Sequence, residues 1–432
     1  MQYTRKTFYT RALLASKDKR GNKMLKNLWV TFLVATILLG TFNLLQVLAV
    51  LTGKLTIHSS GRIIVSTPPL HIENGQFKDM FGNTVYLRGV LRDGYITSCT
   101  GFWQPEGESA AGGMYTWSED AVKVHMRQLK DFGMNVMRWL LNIEWWQKDM
   151  ATSLDGTPTN KHYKECVKRS IEIAQEYGIY IILCFYSVRL PGDQPSGPYP
   201  PYSNSGDEQI ISNEDAFVNF WQQFANEMKN YPNVLYEVFN EPVDMPATTW
   251  FNTVQKVINA IRAIGDDHII LAQYGYCAGF EISEFLRLND TTGNIGYANH
   301  IYRFPPGATM GFEESPPGVP AYLYDDVKRC LTDGWWGIEI NYDEAVTNKI
   351  PIIITELGPW NEPEWNQTQE MLYYENILTI LNEWNISYTG SHWDNPWVTF
   401  RLQNFEGTVA PFPLNKYGQI LVSKIAEGKS KS

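Results

Sequence analysis

From Leu70 onward the chain repeats one pattern: a short apolar run, a polar loop, a stretch with apolar residues three and four apart, then another apolar run. Short runs without alternation fit strands buried on both faces of a parallel sheet, and the intervening stretches fit amphipathic helices. Strands are predicted at Tyr86–Val90, Asn135–Leu140, Ile179–Phe185, from Val234, and at His268–Ala272, Tyr297–His300, Ile352–Thr355 and Ser387–Trp393. The first helix starts at Ser118 as N-cap, places Val124, Leu129 and Phe132 near one face, and stops at Gly133. Others run through Cys166, Ile173 and Tyr177, through Phe217, Phe220, Phe224 and Met228, and over Thr248–Ala263 and Gln367–Asn382. Ahead of them, Leu70–Gly75 and Phe77–Asn83 carry Asn-Gly and Gly-Asn turn signals and read as a hairpin capping one end of a larger body. Eight strands alternating with helices predict an α/β fold, a (β/α)₈ TIM barrel with long βα loops. No Gly-rich phosphate fingerprint follows any strand, which speaks against a doubly wound dinucleotide fold.

The N-terminal part departs from this rhythm. Residues 1–27 carry eight Lys or Arg and one Asp, and Leu28–Leu51 is uncharged and long enough to cross a bilayer. Charge bias orients such a segment with its basic head inside and the bulk of the chain outside. Two readings follow: a retained membrane anchor, or a signal peptide if translation starts at Met24. The expected division is a basic cytoplasmic head 1–27, an anchor or signal 28–51, a linker 52–69 and a barrel 70–432, the last on the extracellular face of the membrane or secreted.

Composition sharpens the class. With 432 residues, 44% apolar and 14% aromatic, the chain can bury a large core, and its 15 Trp offer flat faces suited to stacking on sugar rings. The net charge of −10 argues against a nucleic-acid partner. Five cysteines leave at least one unpaired and none has metal-ligand spacing, so neither a disulfide framework, a metal nor a cofactor is expected. Cys184, inside an apolar run, reads as a small core residue.

The chemistry lies where two apolar runs end. Val234–Phe239 runs into Asn240-Glu241-Pro242, and Ile352–Thr355 into Glu356-Leu357-Gly358. In a barrel all strands point one way, so their C-terminal ends share one face, and Asn240, Glu241 and Glu356 meet there. Two carboxyl groups across a cleft suit cleavage of a glycosidic bond, one as proton donor to the leaving oxygen and one as nucleophile. Asn240 is placed to hydrogen-bond the sugar 2-hydroxyl. Arg138, ending the second strand, either holds a carboxylate ionised or makes a structural ion pair within the barrel, or does both. The Pro-, Gly- and Ser-rich loop Pro191–Ser212 is a candidate binding loop. Trp145-Trp146, Trp335-Trp336, Trp360 and Trp365 follow strands two, six and seven and are candidate sugar platforms, with one of each Trp pair reaching the cleft. Asn289, Asn366 and Asn385 each begin a glycosylation pattern.

Arg138, Asn240-Glu241-Pro242, His300-Ile301-Tyr302, Thr355-Glu356-Leu357-Gly358 and Trp393, in that order, resemble family 5 of the glycoside hydrolases, the cellulase family among the retaining barrels of the 4/7 superfamily. The resemblance runs from about Leu70 to near the C-terminus. It implies Glu241 as general acid/base and Glu356 as nucleophile, with Asn240 on the 2-hydroxyl. It further implies that Tyr302 bonds the nucleophile, His300 supports the acid/base and substrate, and Trp393 floors the sugar subsite before the scissile bond. The family often has a His just after strand three, where this chain has Tyr186, a hydroxyl donor to sugar that cannot carry a positive charge. His392 and Asp394 either bind substrate or satisfy loop backbone. The implied activity is a retaining endo-β-1,4-glucanase acting on polysaccharide or oligosaccharide; β-mannanase or exo-β-1,3-glucanase is the alternative. A non-catalytic, membrane-tethered carbohydrate-binding barrel is the rival from another class.

Overall fold

The computed structural model describes residues 56–57, 63–64, 67–92, 95, 117–152, 158–187, 214–242, 247–274, 288–302, 322–332, 349–358, 366–393 and 413–430. The chain divides into two compact units, Met1–Ile63 and Ile64–Ser432. A short sheet pairs β1 (Thr56–Ile57) with β2 (Ile63–Ile64). The basic head 1–27, the apolar segment 28–51, most of the linker 52–69 and the loop 191–212 lie outside the described residues. Among the described residues no helix is long and apolar enough to cross a membrane.

An antiparallel hairpin opens the second unit, β3 (Leu70–Glu73) with β4 (Gln76–Asp79). Its turn is Asn74-Gly75, with φ of 52° and 74°, the left-handed pair that a two-residue hairpin demands and that Asn-Gly adopts most readily. Eight parallel strands then close into a barrel in chain order. They are β5 (Arg88–Arg92), β6 (Val136–Asn142), β7 (Tyr180–Ser187), β8 (Val234–Glu237), β9 (Ile270–Gln273), β10 (Ile295–Tyr302), β11 (Ile352–Gly358) and β12 (Ser387–Gly390). Helices between them are α1 (Glu119–Asp131), α2 (Ile143–Lys148), α3 (Tyr163–Tyr177), α4 (Glu214–Met228), α5 (Ala247–Arg262), α6 (Tyr324–Thr332) and α7 (Gln367–Glu383), with α8 (Lys416–Ser430) closing the chain. The predicted (β/α)₈ architecture is the observed one.

Burial explains why the strands read as unbroken apolar runs. Side chains on one face of each strand fill the barrel, and those on the other pack under the helices. Leu87, Val136, Ile182, Leu235, Leu271, Ala298 and Ile353 form one buried cluster with Leu70 and Phe77, so the hairpin plugs the N-terminal mouth. The outer cluster includes Phe217, Phe220, Phe224 and Met228 of α4, all buried as their spacing predicts. In α1, Ser118 accepts a hydrogen bond from the Ala121 N–H at 3.3 Å, the predicted cap. Its buried face, however, is Val122, His125, Met126 and Leu129, and Val124 is only half-buried.

Candidate active site

Arg138 sits inside β6, which runs on to Asn142 rather than ending at the arginine as expected. It comes together with Asn240 and Glu241 just past the end of β8, and with His300, Tyr302 and Glu356 in the C-terminal halves of β10 and β11. Arg138 is wholly buried. Its Nε and Nη2 donate to the Glu237 carboxylate at 2.6 and 3.0 Å, its Nη1 to Glu356 Oε1 at 2.6 Å, and its Nη2 also to Asn240 Oδ1 at 2.8 Å. Arg138 thus makes the structural ion pair within the barrel, with Glu237, and also bonds Glu356. Burial opposes its charge, but Cys184, Glu237 and Glu356 around it raise its pKa well above the ordinary value. The Cys184 thiol, 3.2 Å from Nη2 and wholly buried as expected, is pushed up by its burial.

Two local distortions aim the carboxylates. Regular pairing of β8 stops at Glu237, not at Asn240, and Glu241 adopts φ of 49°, a left-handed backbone uncommon outside glycine. On β11, His300 of β10 pairs with Glu356 where Asn299 pairs with Ile354, so Thr355 is an extra residue. Strict alternation would give Thr355 and Glu356 opposite faces. The shift turns both toward the site, Thr355 Oγ1 donating to Glu237 Oε1 at 3.1 Å while Glu356 meets Arg138.

Glu241 and Glu356 share His300. Nδ1 lies 2.7 Å from Glu241 Oε1 and 3.6 Å from Glu356 Oε2, and with carboxylate oxygens on that side we assign the Nδ1–H tautomer, donating to Glu241. Burial, reinforced by the Arg138 charge and opposed by Glu356, lowers the His300 pKa to about 4, so the ring is neutral at pH 7. One oxygen of each carboxylate and one nitrogen of His300 lie within 4.8 Å of one another. This is the grouping of potential metal ligands found among the described residues, and an ion there would compete with the His300–Glu241 bond. The Tyr302 hydroxyl donates to Glu356 Oε2 at 3.0 Å and lies 2.7 Å from Ser391 Oγ. It has a single proton and the carboxylate can only accept, so Ser391 is the donor to Tyr302. Asn240 uses its oxygen on Arg138, and its Nδ2 is buried with no acceptor among the described residues.

Three expected platforms are corrected. Trp393 is wholly buried, its indole N–H donating to His125 Nδ1 of α1 at 3.1 Å and its ring meeting Phe132 edge-on. Regular pairing of β12 ends at Gly390, and the chain beyond sets Trp393 in the layer between barrel and helix, with no open face for a sugar. Trp145 and Trp146 are also both buried, against Tyr163 of α3 and, for Trp146, Phe224 of α4, because the short helix α2 packs into the outer layer. Tyr186 is half-buried near the end of β7 against Leu91, Leu140 and Cys184. Asp394, Trp335, Trp336, Trp360 and Trp365 lie outside the described residues. His392 feels the charges of Glu356 and Arg138, and burial lowers its pKa to about 4. Sequence reasoning missed Glu237, Gln273 and Ser391. A Glu amid Val-Leu-Tyr and Val-Phe is itself a signal, since a charge in a strand buried on both faces needs a partner.

The model of the family described as Cellulase (glycosyl hydrolase family 5) matches residues 99–396, a span containing every carboxylate just placed. This chain belongs to glycosyl hydrolase family 5. Endoglucanase N of Pectobacterium atrosepticum is 27% identical over 245 residues, 53% of this chain and 43% of that protein. Endoglucanase C of Evansella cellulosilytica is 25% identical over 302 residues, 66% and 32% of the two. The chain thus spans less than half the length of these curated relatives. Among solved structures, a β-glucanase from Saccharophagus degradans in complex with cellotetraose aligns with a TM-score of 0.55 at 18% identity, over 85% of this chain and 95% of that one. The catalytic domain of a mannanase from Streptomyces sp. SirexAA-E gives 0.52 at 16%, over 83% and 91%. These two share the fold.

Proposed function

We propose that the chain is a retaining β-glucanase that cleaves β-1,4 bonds within glucan chains by double displacement. The observation that carries this reading is the approach of Glu241 and Glu356, with oxygens within 4.8 Å and a shared His300. A retaining pair stands about 5–5.5 Å apart, and an inverting pair needs roughly 6.5–9.5 Å to admit a water. Glu356, oriented by Arg138 and Tyr302, attacks the anomeric carbon. Glu241 protonates the departing oxygen through Oε2, because Oε1 is engaged by His300. The C–O bond to the leaving sugar breaks as the ester to Glu356 forms. Water then attacks that ester's anomeric carbon, gives its proton to Glu241, and releases Glu356. The Asn240 Nδ2 supplies the donor for the sugar 2-hydroxyl.

The choice of glucan over mannan is supported by the endoglucanase names of the curated relatives, and export by the apolar segment 28–51 with its basic head. Incubation with cellotetraose and with mannotetraose, followed by proton NMR of the first anomer released, tests substrate and stereochemistry together. Cleavage of the cello-oligosaccharide with the β-anomer appearing first is expected. The α-anomer first would refute retention, and faster cleavage of the manno-oligosaccharide would refute the substrate. Glu356→Gln is expected to abolish turnover while sugar binding persists; sugar binding without turnover by the unaltered chain would establish the rival reading, a binding barrel.

A further inference from the structure

We propose that Gln273, the last residue of β9, is a positioning residue for the acid/base Glu241. Its Oε1 accepts the backbone N–H of Glu241 at 2.7 Å. That N–H belongs to a residue held at φ of 49° immediately before Pro242. A side chain with a Cβ disfavours this region, and the following proline disfavours the right-handed alternative, so the local sequence does not fix the conformation by itself. Gln273 supplies what the local chain lacks, an acceptor placed from the neighbouring strand.

Gln273 is itself firmly placed. It is wholly buried, pairs in register with Ala298 of β10, and its carbonyl accepts the indole N–H of the buried Trp250 of α5 at 2.9 Å. Two residues beyond Ala298 on β10 stands His300, which holds the Glu241 carboxylate. Glu241 is therefore gripped at two points by adjacent strands, its backbone by β9 and its carboxylate by β10. Two points fix the direction of the side chain between them, and proton donation depends on that direction. The amide orientation is also determined: a backbone N–H requires the oxygen of Gln273 to face it, which leaves Nε2 buried without an acceptor among the described residues. An unpartnered amide nitrogen is a poor choice for packing alone; a hydrocarbon side chain of the same size would serve a merely structural role better.

The inference rests on the glycosidase reading, and one experiment separates the two. The full chain is assayed on cellotetraose, whose leaving sugar needs a proton, and on 2,4-dinitrophenyl β-cellobioside, whose phenolate leaves without one. Turnover of neither by the unaltered chain would defeat the glycosidase reading. For Gln273→Met, which keeps the bulk and removes the acceptor, kcat/KM on cellotetraose is expected to fall about 10²-fold, the scale of a misplaced catalytic group. On the activated aryl glycoside it is expected to stay within about threefold, because general acid catalysis is not needed there. Gln273→Glu, which keeps an oxygen facing the Glu241 N–H, is expected to restore most of the loss. Equal losses on both substrates, or no loss on cellotetraose, would overturn the assignment. Should the Met variant not accumulate as folded protein, Gln273→Asn, one methylene short of the Glu241 N–H, is read by the same ratio and the same criteria.

Discussion

Tyr302 shows how much a single proton decides. Its hydroxyl stands between Glu356 and Ser391, both within hydrogen-bond distance, and only the serine can be the donor. The phenol proton is thereby committed to Glu356, and together with Arg138 it orients that carboxylate, which the proposed mechanism uses as nucleophile. Tyr302→Phe removes a hydrogen bond to a largely buried carboxylate; such bonds contribute about 1.5–3 kcal/mol, so kcat is expected to fall about 10- to 100-fold. Ser391→Ala leaves the phenol in place but frees its proton, and a smaller loss in the same direction is expected. Steady-state kinetics with a thermal melt on each variant checks both. A Tyr302→Phe enzyme with unchanged kcat would remove Tyr302 from the nucleophile's support.

Among the elements, α7 makes a prediction that pits two readings of one residue against each other. Asn366 begins a glycosylation pattern, yet its side chain accepts from the Thr368 and Gln369 N–H groups, and Gln369 reaches back to the Asn366 N–H in a complete capping box. Asn366→Ala is expected to cost about 1 kcal/mol of unfolding free energy, read from the denaturant midpoint at constant m value. A loss below a few tenths would show that the cap is idle. Elements of this kind were legible in the letters: apolar runs located all eight strands, and Ser118, Gly133 and Asn74-Gly75 marked ends and turns where the structure has them. The motif residues Asn240, Glu241, His300, Tyr302 and Glu356 converge near their strand ends, and Arg138 reaches them from within β6. What the letters hid was register. A period of two carries no sign of the extra residue at Thr355 that turns Glu356 inward, nor of the left-handed step at Glu241. The same blindness misplaced Trp393: a strand read through to the tryptophan puts it at the cleft, whereas pairing that stops at Gly390 lets it fall behind the barrel. Gln273 escaped notice because an amide at the end of an apolar run looks like the start of a turn.

For the molecule as a whole, the candidate site and the surrounding shell carry opposite kinds of titrating group that weaken the fold in the same direction. His300 and His392 are held to about 4 by burial, below the ordinary value of 6.5. Their unfolded forms take up protons below pH 6.5 that the folded forms refuse until about pH 4, so stability falls as pH drops through that window. Asp290 is different. Burial works to raise it, but hydrogen bonds from Arg262 and Thr292 prevail and lower it from 3.8 to about 2. Its contribution is present above pH 4 and is lost as pH falls toward 2. The two windows adjoin, and the melting temperature should be flat near pH 7, decline from pH 6.5 to 4, and decline further below 4. His392→Asn should flatten the upper part of the decline and leave the lower part unchanged, because Asp290 lies outside the candidate site, paired with Arg262 of α5. Thermal melts from pH 8 to 3 on both proteins measure this directly. A melting temperature that holds steady from pH 7 to 4 would mean that the imidazoles take up protons in the folded state, and a charged His300 would then face Arg138 across the same carboxylates that the proposed reaction requires.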